Sequence, residues 1–103
     1  MPEPEAKAFV VVQIAINDRD GYHKYETAGH LEIFERFNGK LVGLDEDVKI
    51  VEGSWPCTRT VLIEFPSKAD ARAWYESDEY QAVVGFRHDS TTSNLVIVSG
   101  YPG

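Results

Sequence analysis

The sequence predicts an α+β fold in which a four-stranded antiparallel sheet carries two helices on one face. Four short segments are rich in β-branched and apolar residues, and two longer segments between them have helical periodicity. Their order along the chain is strand, helix, strand, strand, helix, strand. This order is that of the split β-α-β arrangement, βαββαβ, of ferredoxin-like domains.

The first predicted strand covers residues 8–16, AFVVVQIAI, which are apolar almost without interruption. This composition is typical of a central strand that is covered on both faces. Gln13 interrupts the run, and a buried amide must find hydrogen-bond partners. We interpret Gln13 either as a satisfied core group or as a polar point on a pocket wall.

The segment NDRDGYHKYETAGHLEIFERFNG predicts one helix, with Asp18 or Asp20 as its N-cap and Gly39 after its end. At about 100° per residue, its large apolar and aromatic side chains fall within about half of the helical wheel. These residues are Tyr22, Tyr25, Ile33, Phe34 and Phe37. We therefore expect this helix to cover the sheet with a face that is aromatic as well as apolar.

The next segment, KLVGLDEDVKIVEG, predicts two short extended runs on either side of the acidic turn at residues 45–47. TRTVLIEF, residues 58–65, predicts a clearer strand. Within it, Arg59 and Glu64 are an odd number of positions apart, so we expect them to point to opposite faces of the sheet. That arrangement weakens the interpretation of the two residues as a coupled acid and base.

Pro66 ends this strand, and Ser67 with Asp70 resembles a capping box for the helix KADARAWYES. Ser77 is expected to cap a further helical segment, DEYQAVVGFR. The polar residues HDSTTS predict a loop, and NLVIVSG predicts the last buried strand.

A chain of 103 residues supports one hydrophobic core, so we expect a single domain over residues 8–103 after a disordered segment, residues 1–7. No apolar run approaches the roughly 20 residues that cross a bilayer. The net charge of −7 argues against nucleic acid as a partner. Cys57 is the only cysteine, and the N-terminus has no signal pattern, so we expect a cytoplasmic protein without an internal disulfide.

Covering the sheet raises the question of a partner. The first and last strands are apolar on both faces, but the helices of this fold cover only one face. A second copy of the chain could cover the other. We therefore expect a homodimer joined sheet to sheet.

His23, Glu26 and His30 share one side of the first predicted helix, which raises the question of a metal site. His23 and His30 would lie about 10 Å apart along the helix axis, too far apart for one ion. The sequence also lacks a nucleophile elbow, a glycine-rich phosphate loop and an H-E-x-x-H motif. We therefore predict neither a metal nor another cofactor.

A small-molecule pocket is the remaining candidate site, because aromatic walls with a few polar groups are typical of such pockets. Its predicted lining lies on the first helix, the third strand and the last helix: Tyr22, Tyr25, Glu64, Tyr80 and Arg87. Arg87 could hold an anionic group. Any single one of these side chains is better explained by amphipathic packing, and only the group as a whole favours a pocket.

Two further residues, Trp55 and Arg59, are singled out without an assigned role. For Arg59 and Glu64, three interpretations remain open: structural or dimer-aligning polar groups, ligand contacts, or proton-transfer groups.

EGSWPCTRTVLIEFPS, residues 52–67, closely resembles the pattern E-G-x-W-P-x-x-R-x-V-x-x-E-F-P-S of a bacterial family, domain of unknown function 1330. The resemblance continues through Tyr22 and Tyr25, the NGK turn at 38–40, SDEYQ at 77–81 and Arg87. Asn38 stands where the family usually has Gly or Ala, and a left-handed turn tolerates this change. His30 lies in a stretch where members of the family often have a proline nearby. We therefore expect the second half of the first helix to run straighter than in relatives.

This resemblance implies a dimeric α+β barrel, a group that includes cofactor-free monooxygenases, lactone isomerases and members without known chemistry. Three hypotheses follow from it. The protein binds a small molecule between the first helix and the sheet, or it is a cofactor-independent enzyme, or it is a structural or interaction protein without a ligand. No catalytic residue is transferred, because the sites of those relatives have no matching motif here.

Overall fold

A computed structural model describes residues 6–56 and 58–101. The elements are β1 (Ala8–Ile16), α1 (Arg19–Thr27), α2 (His30–Arg36), β2 (Lys40–Asp45), β3 (Arg59–Phe65), α3 (Lys68–Glu76), α4 (Asp78–Ser90) and β4 (Thr91–Ser99). The strands form one antiparallel sheet in the order β2-β3-β1-β4. The predicted α+β, ferredoxin-like fold class is confirmed. Cys57 and most of the segment 1–7, which is predicted to be disordered, lie outside the described residues.

The first predicted helix is two helices, so the prediction of a single helix over this segment is wrong. Asp18 caps α1 as predicted, accepting a hydrogen bond from the Gly21 N–H at 3.2 Å. The helix ends where the Ala28 N–H bonds back to the Tyr25 carbonyl, and Gly29 follows with a φ of 84°. A left-handed residue cannot continue an α-helix, so α2 starts afresh at His30.

The turn from α2 into β2 depends on its two residues. Asn38 has a φ of 68°, which confirms the left-handed position expected for it. A Cβ at Gly39 would lie 2.8 Å from the Phe65 ring and 2.9 Å from the Phe34 carbonyl oxygen, so only glycine fits there. The second extended run predicted after the acidic turn, residues 48–51, forms no strand.

The helices α3 and α4 are capped as predicted, since Ser67 accepts from the Asp70 N–H and Ser77 accepts from the Tyr80 N–H. The predicted loop HDSTTS is wrong, because α4 continues to Ser90 and β4 begins at Thr91. Two hydroxyls satisfy carbonyls of the last helical turn: Ser90 donates to Phe86 and Thr91 donates to Arg87, each at 2.6 Å. No separate loop is needed to end this helix.

The helices cover one face of the sheet, which we call the inner face. Along β1, Val10, Val12 and Ile14 are buried beneath the helices, while the alternate residues Val11 and Gln13 point to the outer face and are only half-buried. Gln13 accepts a hydrogen bond from Asn94 at 3.2 Å. Gln13 is therefore a satisfied amide on the outer face rather than a point on an inner pocket wall.

The outer face has an apolar centre that no described part of the chain covers. In the strand register, Val11 lies between Leu62 of β3 and Val96 of β4, and Phe9 lies beside Val98. The side chains at the centre remain substantially exposed, up to 54% for Val96. Among the described helices, none is long and apolar enough to cross a membrane.

Candidate functional site

A cavity of about 40 Å³ lies between the inner face of the sheet and the helices α1 to α4. Apolar side chains of three strands form its floor: Val12, Ile14, Val61, Ile63 and Leu95. The enclosed volume suffices for a few water molecules or for one small polar head group.

Three leucines line the cavity where it approaches the surface, beside α2 and the edge strand β2. Leu31, Leu41 and Leu44 are 45%, 37% and 49% exposed, although leucine side chains at a closed core would be covered. We call these three residues the leucine mouth. They offer an apolar surface that continues outward from the enclosed space.

Four of the five predicted lining residues meet at this cavity: Tyr22, Tyr25, Tyr80 and Arg87. The fifth, Glu64, does not. It lies on the outer face of the sheet, with its carboxylate 3.7 Å from the Lys7 ammonium, so its assignment to this pocket is wrong. The alternation of β3 separates Glu64 from Arg59, and Arg59 is the one that faces the cavity.

Trp55 lies outside the cavity, in the segment between β2 and β3. Its indole N–H donates to the Thr60 hydroxyl at 2.9 Å, and its side chain is about one-third exposed. This hydrogen bond connects the segment to the start of β3 on the outer face. The structure therefore gives Trp55 a local structural contact and no contact with the candidate site.

Arg59 is held by two carboxylates and one hydroxyl. Its Nη2 lies 2.7 Å from Glu46 and its Nη1 lies 3.1 Å from Glu26, while Nη1 also donates to the Tyr22 hydroxyl at 3.4 Å. Burial works against the charged guanidinium, but these partners outweigh it and raise the pKa of Arg59. The residue therefore joins β3 to α1 and to the segment after β2.

Arg87 is more deeply buried than Arg59, at 3% exposure, and fewer polar partners stabilise its charge. Its Nη1 donates to the Ser93 hydroxyl at 2.6 Å, and its Nε has no hydrogen-bond partner. Within residues 6–56 and 58–101, no carboxylate lies within ion-pair distance of this guanidinium. A buried positive charge thus lines the cavity without a negative partner from the described chain.

Two tyrosine hydroxyls meet inside the protein. The Tyr25 and Tyr80 oxygens lie 2.8 Å apart, and either can be the donor. Burial, followed by the neighbouring Tyr80, raises the pKa of Tyr25 above its usual value. Burial also raises the pKa of Tyr22, although the nearby Arg59 opposes this effect. The phenols of Tyr22 and Tyr25 therefore stay protonated and act as neutral hydrogen-bonding groups.

His30 is a lining residue that the sequence did not predict. Its ring stacks on Tyr25 with centroids 4.4 Å apart, and its buried Nδ1 has no hydrogen-bond partner. Burial lowers the pKa of the imidazole, and contacts with the Tyr25 backbone and the Glu26 carboxylate oppose this only in part. Periodicity along one continuous helix places His30 among solvated residues, whereas the break at Gly29 turns it inward. The glycine inside the helical pattern was the available signal.

In the part of the chain that the structure describes, no three His, Cys, Asp or Glu side chains are grouped to hold an ion. His23 approaches Glu26 at 4.0 Å, and both are exposed to solvent.

Several solved structures share the fold of this chain. A protein of unknown function from Rhodopseudomonas palustris has a TM-score of 0.78 at 17% identity, over 96% of this chain and 85% of that one. SnoaB, a cofactor-independent oxygenase from Streptomyces nogalater, has a TM-score of 0.67 at 9% identity, over 95% and 96%. A dimeric ferredoxin-like protein of unknown function from Thermobifida fusca has a TM-score of 0.63 at 11% identity, over 93% and 92%.

Sequence comparison gives the family. No curated protein matches the chain significantly. The model of the family described as "Domain of unknown function (DUF1330)" matches residues 7–101, which is nearly the whole chain and includes the motif at residues 52–67. Together with the ferredoxin-like fold, this match shows that the chain belongs to the DUF1330 family.

Proposed function

We propose that this chain forms a homodimer that binds a small molecule in the cavity between its helices and its sheet. The proposal rests on one observation: the same cavity has polar groups inside it and the exposed leucine mouth at its edge. A small enclosed space with polar groups and a wider apolar approach suits a ligand with a polar head and an apolar body. Exposed apolar patches on a domain of this size often mark binding surfaces.

The test is native mass spectrometry of the purified protein, followed by denaturation of the same sample. We expect an added mass on the native protein that is released on denaturation. Leu44→Asp should remove this mass, because it places a charge in the leucine mouth. Ile50→Asp is the matched control, since Ile50 is 50% exposed and lies outside the cavity. A wild-type protein without any added mass, and without thermal stabilisation by small fragments, contradicts binding and favours a structural protein whose cavity stays empty.

The homodimer is proposed to form through the outer face of the sheet. Its exposed apolar centre, with Leu62, Val96 and Val98 between 36% and 54% exposed, would lose contact with water in a sheet-to-sheet contact. The dimeric ferredoxin-like protein from Thermobifida fusca offers support by analogy of fold.

A charge at the centre of this face tests the dimer. Val96→Asp should convert a dimer into a monomer at micromolar concentration, measured by native mass spectrometry. Phe86→Asp is the control, because Phe86 is similarly exposed at 41% but lies on α4. A monomeric wild-type protein, or an unchanged Val96→Asp dimer, contradicts the proposed interface.

A second candidate function is a cofactor-independent enzyme. His30 favours it, since a neutral imidazole with an unpaired nitrogen at a cavity is a suitable general base. SnoaB, with the same fold, is a cofactor-independent oxygenase. If the ligand found by mass spectrometry is converted by the wild-type protein, His30→Gln should stop conversion and keep binding. Equal conversion by this variant rules out His30 as the base.

A cytoplasmic location completes the proposal. It rests on the single cysteine of the sequence, which suits a reducing compartment.

A further inference from the structure

The buried side-chain nitrogens without hydrogen-bond partners are concentrated at one place. In the described ranges they are His30 Nδ1, Arg59 Nε, Trp74 Nε1 and Arg87 Nε. All four residues line the cavity between the helices and the sheet. Buried polar groups in folded proteins are nearly always paired, so a shared location for the exceptions indicates that a bound molecule is their missing partner.

The chemistry of these nitrogens restricts that molecule. The arginine Nε and the tryptophan Nε1 are always donors, and a histidine Nδ1 can donate in one of its tautomers. The two tyrosine hydroxyls already bond to each other at 2.8 Å. A ligand that satisfies this set must therefore present acceptor atoms to the lining of the cavity.

The charge of Arg87 restricts it further. Arg59 has two carboxylate partners, whereas the neutral Ser93 hydroxyl is the only side-chain hydrogen-bond partner of Arg87 among the described residues. An unpaired charge at 3% exposure is unfavourable, and an anion at the cavity would relieve this cost. The guanidinium fork matches the two oxygens of a carboxylate. Because the chain has a net charge of −7, its overall field repels anions, so any preference for them must come from such local groups.

We infer that the ligand is a small organic carboxylate whose oxygens bind Arg87 and whose apolar body extends toward the leucine mouth. This inference rests on the proposed binding function and names the ligand class of the same cavity. The enclosed volume of about 40 Å³ holds the head group, and Leu31, Leu41 and Leu44 contact the remainder. The Tyr25 and Tyr80 hydroxyls, which bond to each other at 2.8 Å, add no carboxylate to the cavity lining that would repel the ligand.

The experiment compares three carboxylates, hexanoate, benzoate and phenylacetate, with their primary amides. Each amide has nearly the same shape as its acid but carries no charge. Affinities at neutral pH are measured by titration with two-dimensional NMR of the full chain. We expect at least one acid to bind about tenfold more tightly than its amide, the difference typical of one charge-assisted hydrogen bond. Arg87→Met should bring acid and amide to equal affinity.

The control is Arg72→Met, which removes the same charge from an exposed pair with Glu76 and should leave the preference unchanged. If Arg87→Met does not fold, Arg87→Lys takes its place in the test. It retains the charge without the guanidinium fork, so it should weaken the preference for acids over amides by a factor of several. A preference that survives unchanged in these Arg87 variants overturns the inference.

The two proposals fail in different ways. Equal binding of acids and amides to the wild-type protein overturns the carboxylate inference and leaves binding in the cavity intact. If neither acids nor amides bind, and the purified protein carries no added mass, the proposed binding function is overturned and the inference with it.

Discussion

Arg59 and Arg87 line the same cavity and are both largely buried, but their surroundings differ. Arg59 forms ion pairs with Glu26 and Glu46 at 3.1 and 2.7 Å, whereas the described residues offer the Arg87 side chain one hydrogen-bond partner, the Ser93 hydroxyl at 2.6 Å. In the first case the chain supplies the counter-charges, and in the second it supplies none among its described residues. Two arginines that line one cavity thus differ in whether the chain neutralises their charge, and we propose a structural role for Arg59 and a ligand-binding role for Arg87.

The elements that each arginine connects explain the difference. Arg59 starts β3, and its partners lie on α1 and just after β2, so the ion pairs hold three parts of the chain together. Arg87 and Ser93 lie only six residues apart, on α4 and on the β4 strand that follows it directly. Their hydrogen bond adds little long-range connection. We therefore expect stability to depend on Arg59 and ligand binding to depend on Arg87.

The largest effect on stability should come from Arg59→Met. The substitution leaves Glu26 and Glu46 without their shared cation, and we expect a loss of about 2 kcal/mol, below the range for fully buried pairs because both carboxylates are partly exposed. Urea unfolding at fixed protein concentration measures the loss. Arg72→Met, the surface control, should change stability by less than about 0.5 kcal/mol. Equal losses in the two variants would remove the structural role of Arg59.

The tyrosine pair should give the next largest effect. Tyr80→Phe leaves the buried Tyr25 hydroxyl without its partner, which we expect to lower stability by about 1–2 kcal/mol. In the double variant Tyr25→Phe with Tyr80→Phe, the loss should be smaller than the sum of the two single losses, because the unpaired hydroxyl is gone. Thermal and urea unfolding of the four proteins measure this coupling. Additive losses would show that the two hydroxyls act independently, as groups open to the cavity would.

We expect His30, which interacts electrostatically with Glu26 and Arg59, to make stability depend on pH. Burial lowers its pKa below the ordinary value of 6.5, so the unfolded chain binds the proton more readily than the folded one. His30 therefore lowers stability as the pH falls from about 6.5 through the lowered pKa, and has no such effect above this window. His30→Gln should flatten the wild-type decline in urea midpoints across this range. Parallel pH profiles would contradict the burial of a neutral imidazole.

The smallest effect on stability is expected for Arg87→Met in the absence of ligand. Replacing an uncompensated buried charge with an apolar side chain removes a desolvation cost, which offsets the lost hydrogen bond to Ser93. We expect a change within about 1 kcal/mol in either direction, measured by urea unfolding beside Arg59→Met. A loss as large as that of Arg59→Met would mean that Arg87 is structural, and the contrast between the two arginines would disappear.

Much of the architecture could be predicted because its causes are local. Asp18, Ser67 and Ser77 each cap a helix through an N–H three residues along the chain. The alternation of β3 is enough to place Arg59 and Glu64 on opposite faces of the sheet. Periodicity alone is enough to place Tyr22 and Tyr25 on the buried side of the first helix.

Two errors, at the first predicted helix and at the predicted loop HDSTTS, originate in chain geometry that local patterns do not specify. One left-handed residue, Gly29, divides the first predicted helix and turns His30 inward. The polar stretch after α4 resembles a loop, but its hydroxyls satisfy helical carbonyls and the helix passes directly into β4. Residue type suggests a pocket position for Glu64, although its own strand directs it to the outer face.

The order of the elements, their caps, their buried faces and membership of the family can be predicted from the amino-acid sequence, because these depend on near neighbours and on a recognisable motif. Which charged and polar groups have partners depends on how the elements pack together. Arg59 meets Glu26 across 33 residues and Tyr25 meets Tyr80 across 55. Such contacts arise only when the helices pack on the sheet, and the same packing leaves Arg87 buried without a counter-charge.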